Sequence, residues 1–180
     1  TPCNAPTHSP EPNRGRAWEV DDLLALARTY QEAAVLTAAA ELNLFSAVSS
    51  TPATALELAR LMQCDPRGLS LLLDALAALG LLEKSEGTYT LATGLGAFLT
   101  PESGQSVLAM MQHQASCLRR WAQLARVVQT GKPAQREPGV RGDAGEQEAF
   151  IGAMHNISAP TADQVIQAVQ PLQFRHLLDI

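Results

Sequence analysis

Asp65-Pro66-Arg67-Gly68-Leu69-Ser70-Leu71-Leu72-Leu73-Asp74-Ala75-Leu76-Ala77-Ala78-Leu79-Gly80 is the stretch that decides the fold. Asp65 suits a helix N-cap, and Pro66 suits the first helical position, where a missing N–H goes unnoticed. The run from Gly68 to Leu79 is built from leucine and alanine, which are strong helix formers, and Gly80 is a natural stop. Just upstream, Thr54 to Met62 reads as a shorter helix with Leu56, Ala59 and Leu61 apolar. Just downstream, Leu81 to Leu91 reads as two short strands around a Glu86-Gly87 turn. Helix, turn, helix and hairpin in this order is the winged-helix layout.

Further out, Trp18 to Leu42 carries a long helical pattern, with Asp21 and Asp22 placed where they complement the helix dipole. From Ala33 to Ala40 that pattern is apolar nearly all round, which calls for burial on every face. Either a partner chain or the interior of one chain would satisfy it. Leu44 to Val48 reads as a short apolar link. Pro101 to Gln105 punctuates the chain, Val107 to Thr130 reads as one long helix, and Pro133 to Gly145 as a loop. Glu146 to Ser158 is helical in pattern, with Phe150, Ala153, Met154 and Ile157 on one stripe. Pro160 is expected to kink or restart that helix, which then continues to Gln170. His176-Leu177-Leu178-Asp179-Ile180 reads as the start of a buried strand. Thr1 to Arg16 holds four prolines and little to bury, so it is read as a disordered tail.

Composition narrows the function classes. The 180 residues are 46% hydrophobic but only 4% aromatic, so the core must be leucine and alanine in closely packed helices. The net charge of -5 argues against nucleic acid and anionic membrane as partners. No apolar run approaches the roughly 20 residues that span a bilayer. Cys3, Cys64 and Cys117 are widely spaced and form no CxxC pair, so they read as free thiols in a reducing compartment, the cytoplasm, and not as metal ligands.

A winged helix invites a test for DNA binding. From Thr54 to Leu91, Arg60, Arg67 and Lys84 stand against Glu57, Asp65, Asp74, Glu83 and Glu86, three positive against five negative, a net of -2. A recognition helix needs basic side chains for phosphates and polar ones for base edges. The 66–79 helix carries one basic residue, Arg67, and a leucine-rich middle. The module therefore reads as a packing scaffold, and a free-standing winged-helix regulator is the weaker alternative.

Taken in order, five segments resemble the plant-type and antibiotic-pathway family of SAM-dependent O-methyltransferases, over roughly Asp22 to Ile180. They are Ala40-Glu41-Leu42-Asn43-Leu44-Phe45, the Asp65-to-Leu82 helix with its leucine-rich Asp74-to-Leu82 run, and Trp121-Ala122-Gln123-Leu124 with Thr130-Gly131-Lys132-Pro133. Phe150-Ile151-Gly152-Ala153-Met154 with Ser158, and Leu177-Leu178-Asp179-Ile180, complete the set. The resemblance implies a homodimer with intertwined N-terminal helices, a winged helix used as architecture, and a Rossmann-like domain that binds S-adenosyl-L-methionine. The organisation it implies is a tail over 1–17, a winged-helix dimerisation domain over 18–100, a helical linker and substrate cap over 101–170, and the first strand of the SAM-binding domain over 171–180. In such enzymes the last strand runs into a glycine-rich loop, and the catalytic base lies later still. Both are expected beyond Ile180, so residues 1–180 alone are not expected to transfer a methyl group.

The resemblance also assigns roles within the chain. It places Phe150 and Met154 near the methionine end of SAM and Ser158 near its carboxylate. It sets Met111 and Gln112 along the pocket for a hydroxylated, aromatic small-molecule acceptor, with His113 beside them and His155 beside Met154. An aromatic ring and a polarizable thioether do suit a sulfonium, and a hydroxyl can donate to a carboxylate. On spacing alone, Phe150 and Met154 at i and i+4 fit plain core packing, and His113 and His155 fit surface positions. A dimerising, non-catalytic paralogue remains a third reading.

Overall fold

The computed structural model describes residues 17–49, 51–170, 176 and 178. The expected tail over 1–17 and the expected strand over 176–180 lie mostly outside the described residues. The chain divides into two units, residues 1–31 and residues 32–180.

In the first unit, α1 (Val20–Arg28) is closed by a reciprocal cap between Glu19 and Asp22, and none of its residues is buried. Its apolar side chains, among them Leu23, Leu24 and Leu26, are exposed. The single helix expected over Trp18 to Leu42 is in fact two, α1 and α2 (Tyr30–Glu41). The break is at Thr29, whose hydroxyl donates to the Leu26 carbonyl at 2.9 Å and so competes with the helical ladder.

The second unit is mainly helical with a small sheet. The apolar end of α2 enters its core: Ala39 and Ala40 are fully buried, while Ala34 and Ala38 are half-buried. Asn43 then takes a left-handed conformation at φ 56° and turns the chain into α3 (Leu44–Ser49). The sequence reading made this stretch a link. It is a helix because Leu44, Phe45 and Val48 fall on one face, and all three are among the most deeply buried side chains.

The sheet holds β1 (Ala53–Thr54), β2 (Leu82–Ser85) and β3 (Thr88–Leu91) in the antiparallel order β1-β3-β2. Register pairs Lys84 with Tyr89 and Leu82 with Leu91. The hairpin turns at Glu86 (φ 50°) and Gly87 (φ 82°), the conformation that matches strand twist in a two-residue loop. Between β1 and β2 lie α4 (Ala55–Met62) and α5 (Pro66–Ala78). Thr54 accepts from the Glu57 N–H while Glu57 reaches back to the Thr54 N–H, a capping box. Asp65 accepts from the Gly68 N–H at 2.7 Å, as its placement foretold, and Gly80 stops the chain at φ 73°. Leu69, Leu73 and Leu76 point inward from α5 into the buried core that also holds Phe45 and Leu58. On the outer side of α5, Asp74 ties the helix to the hairpin. It accepts from Lys84 Nζ at 2.6 Å and from the Tyr89 hydroxyl at 2.7 Å, and these partners hold its carboxyl below the ordinary range.

A short α6 (Gly96–Leu99) follows, then α7 (Leu108–Trp121), α8 (Leu124–Thr130) and α9 (Gly142–Val169). The helix expected over Val107 to Thr130 is interrupted at Ala122 and Gln123. There the Gln123 side chain leaves to bond the Gln135 backbone at both its N–H (2.9 Å) and its carbonyl (3.0 Å). Pro160 does not restart α9, which runs through it unbroken. α7 and α9 pack closely because small residues meet at their seam. Ala115, Ala149 and Ala153 are buried, and a Cβ on Gly152 would come within 2.6 Å of the Ala109 methyl.

Candidate functional site

The residues singled out from sequence all lie on α7 and α9, but the structure distributes them over different surfaces. Met111 packs against the core. Gln112 is buried, and its amide nitrogen donates to the Ala40 carbonyl at 3.1 Å and to Asn43 Oδ1 at 2.8 Å. Those bonds pin the left-handed turn between α2 and α3, so Gln112 is first a structural residue. It also reaches the wall of a cleft of about 530 Å³ that includes His155, Asn156, Arg141, Ser106 and Asn43.

His113 and Phe150 line a second cleft of about 350 Å³, with Ser116, Arg120, Arg136, Glu146 and Gln147. The two rings meet edge to face, centroids 5.3 Å apart at 61°. Cys117 Sγ lies 3.4 Å from His113 Nε2, one helical turn away. Phe150, Met154 and Ser158 share one exposed stripe of α9. The stripe offers an aromatic face and a thioether, a donor set that fits a sulfonium cofactor. Ser158 Oγ donates to the Met154 carbonyl at 2.9 Å, so it must rotate before it can donate to a carboxylate.

An ion cluster that the sequence did not announce closes one end of this seam. Arg119 Nη1 donates to both oxygens of Glu41 at 2.9 and 3.0 Å, Nη2 to Glu146 at 2.6 Å, and Nε to the Glu137 carbonyl at 3.1 Å. The Gly139 N–H adds a bond to Glu146 at 2.9 Å. Burial alone would raise the Glu146 pKa. The Gly139 N–H and the Arg119 and Arg136 guanidiniums outweigh it and hold the carboxyl below the ordinary range. A Cβ on Gly139 would overlap Glu41 Oε1 and stand 2.6 Å from Arg119 Nη2, so a larger residue would have to push this ion pair aside. Glu41 and Arg119 are 78 positions apart, which is why no local pattern revealed them.

Residues 24–101 match the O-methyltransferase dimerisation domain. Over those residues the chain is similar to that domain. Relatives extend the likeness beyond it. Acetylserotonin O-methyltransferase of Rattus norvegicus is 35% identical over 66% of this chain and 29% of its own length. The tetracenomycin polyketide synthesis 8-O-methyl transferase TcmO of Streptomyces glaucescens is 28% identical over 88% of this chain and 49% of its own. The chain thus spans less than half the length of these curated relatives. The crystal structure of human N-acetylserotonin methyltransferase in complex with SAM matches its fold with a TM-score of 0.63 at 24% identity, over 87% of this chain and 51% of that one. The matched residues hold the end of α1, α2 to α6 and the sheet; Phe150, His113 and the clefts lie mostly beyond them. Among the described residues no helix is long and apolar enough to cross a membrane.

Proposed function

We propose that the chain is the N-terminal dimerisation and substrate-cap part of a SAM-dependent O-methyltransferase acting on a hydroxylated aromatic small molecule. In this reading residues 18–100 form a winged-helix module used for architecture. Residues 101–170 form the cap, and residues 171–180 lead into a Rossmann-like SAM-binding domain. The match of residues 24–101 to a dimerisation domain is the observation that carries the proposal. The α4-α5-hairpin order and the unfilled apolar face of α1 support it. The free thiols Cys64 and Cys117 accord with a cytoplasmic, reducing setting.

Within this reading the α9 stripe does the cap's work. SAM, when bound, supplies the methyl group. Phe150 and Met154 give it a polarizable wall, Ser158 offers a hydroxyl, and the His113–Phe150 ring pair gives an aromatic acceptor a surface to lie on. Met111 holds α7 in place from the core side. Gln112 and His155 border the larger cleft and offer hydrogen bonds to a polar group there.

Sedimentation tests the dimer. Leu24 is exposed on α1 and inside the matched segment, so Leu24→Arg introduces no charge into a buried position. The wild-type chain is expected to sediment as a dimer and the variant as a monomer with unchanged circular dichroism. A variant that stays dimeric at micromolar concentration would remove α1 from the interface and overturn the intertwined arrangement.

A further inference from the structure

Among the described residues, charge pairing around the α7–α9 seam leaves the Arg120 side chain over. Arg119 is matched by Glu41 and Glu146, Arg136 by Asp143 and Glu146, and Arg141 by Glu148. Arg120 is exposed and its side chain, among the described residues, holds neither a carboxylate nor a hydrogen bond. It lines the 350 Å³ cleft on the same side of α7 as His113, and Phe150 of α9 completes the ring pair there. Glu146, the acid of this cleft, is saturated by Arg119 and the Gly139 N–H, and Arg136 is shared between two carboxylates.

Each part of this arrangement selects for something. A ring edge and a ring face favour a flat aromatic molecule. A guanidinium with all its donors free favours a planar anion, because a carboxylate accepts two parallel N–H bonds from its fork. The volume falls at the small end of the range for ligand pockets, about 300–1,000 Å³, which suits one or two fused rings. We propose that the acceptor taken by this cleft is an aromatic molecule bearing a carboxylate as well as its hydroxyl, and that Arg120 is the residue that selects for the carboxylate. This rests on the reading of the cleft as part of the acceptor site.

The test uses two probes with the same ring system, 3-hydroxy-2-naphthoate and 2-naphthol, titrated calorimetrically into the 180-residue chain. The naphthoate is expected to bind about five- to tenfold more tightly, a modest preference because the pair is exposed to solvent. The preference should disappear in Arg120→Gln, survive in part in Arg120→Lys, and shrink in high salt. Phe150→Ala should weaken both probes alike. Equal binding of the two probes, or a preference unchanged in Arg120→Gln, would overturn the role of Arg120 while leaving the acceptor cleft standing. Binding of neither probe, or binding indifferent to Phe150→Ala, would overturn the cleft reading and the inference with it.

Discussion

Replacing Arg119 by Met removes the cation that, among the described residues, contacts both Glu41 and Glu146, and leaves two carboxylates without it. Their side chains are 14% and 9% exposed, and Arg119 itself is 23% exposed, so water can do little to compensate. Breaking a buried pair by removing one partner costs about 3–5 kcal/mol. Arg136 stays 3.6 Å from Glu146 and the Gly139 N–H remains in place, which argues for the lower half of that range. The expected loss is therefore about 3 kcal/mol, or roughly 6–12 °C in Tm for a chain of this size. Urea denaturation followed by circular dichroism at pH 7 measures it. The pH dependence gives a second, independent check. The Glu146 carboxyl is held below its ordinary range, so its contribution is fully present above the unfolded pKa. That contribution is lost as pH falls through the lower folded value. Wild type should thus lose stability on acidification, and the gap between wild type and Arg119→Met should narrow. A variant within about 0.5 kcal/mol of wild type at pH 7, the noise of an ordinary surface substitution, would refute the idea that this cluster fastens α9 to α2.

Gly139→Ala should force Glu41 and Arg119 apart and cost about 1–3 kcal/mol, an overpacking loss seen as a lower urea midpoint. Asp65→Ala removes the acceptor for the Gly68 N–H and should lower stability by about 1 kcal/mol; Asp65→Asn, which also caps, should recover most of it in the same denaturation assay. Residues 1–180 by themselves should show no calorimetric binding of SAM, since the α9 stripe offers neither a phosphate-type loop nor a ribose acceptor; micromolar affinity would contradict the division of labour proposed for the cofactor.

Local chemistry made much of this molecule legible from its sequence. The Asp65 cap, the Pro66 start, the Gly80 stop and the Glu86-Gly87 turn each act within a few residues, so neighbours alone determined α5 and the hairpin. The charge balance of the 54–91 segment is equally a property of the chain. Breaks and short elements were harder. α3 is a single buried turn and a half, too short to show a period, and Thr29 and Gln123 interrupt helices through side-chain bonds that apolar periodicity does not register.

The candidate site shows the same boundary. Sequence pattern put Phe150 and Met154 on one stripe of α9, because positions i and i+4 share a helix face whatever surrounds them. Only the tertiary structure set His113 against Phe150, sent Gln112 to brace the turn at Asn43, and gathered Glu41, Arg119, Gly139 and Glu146 into one cluster. Only it left the Arg120 side chain, among the described residues, without a carboxylate beside the paired Arg119, Arg136 and Arg141. Helix faces and caps arise from contacts a few residues apart, so a linear reading captures them. Pairings across tens of residues depend on how α2, α7 and α9 come together, and that is settled by burial of the whole core.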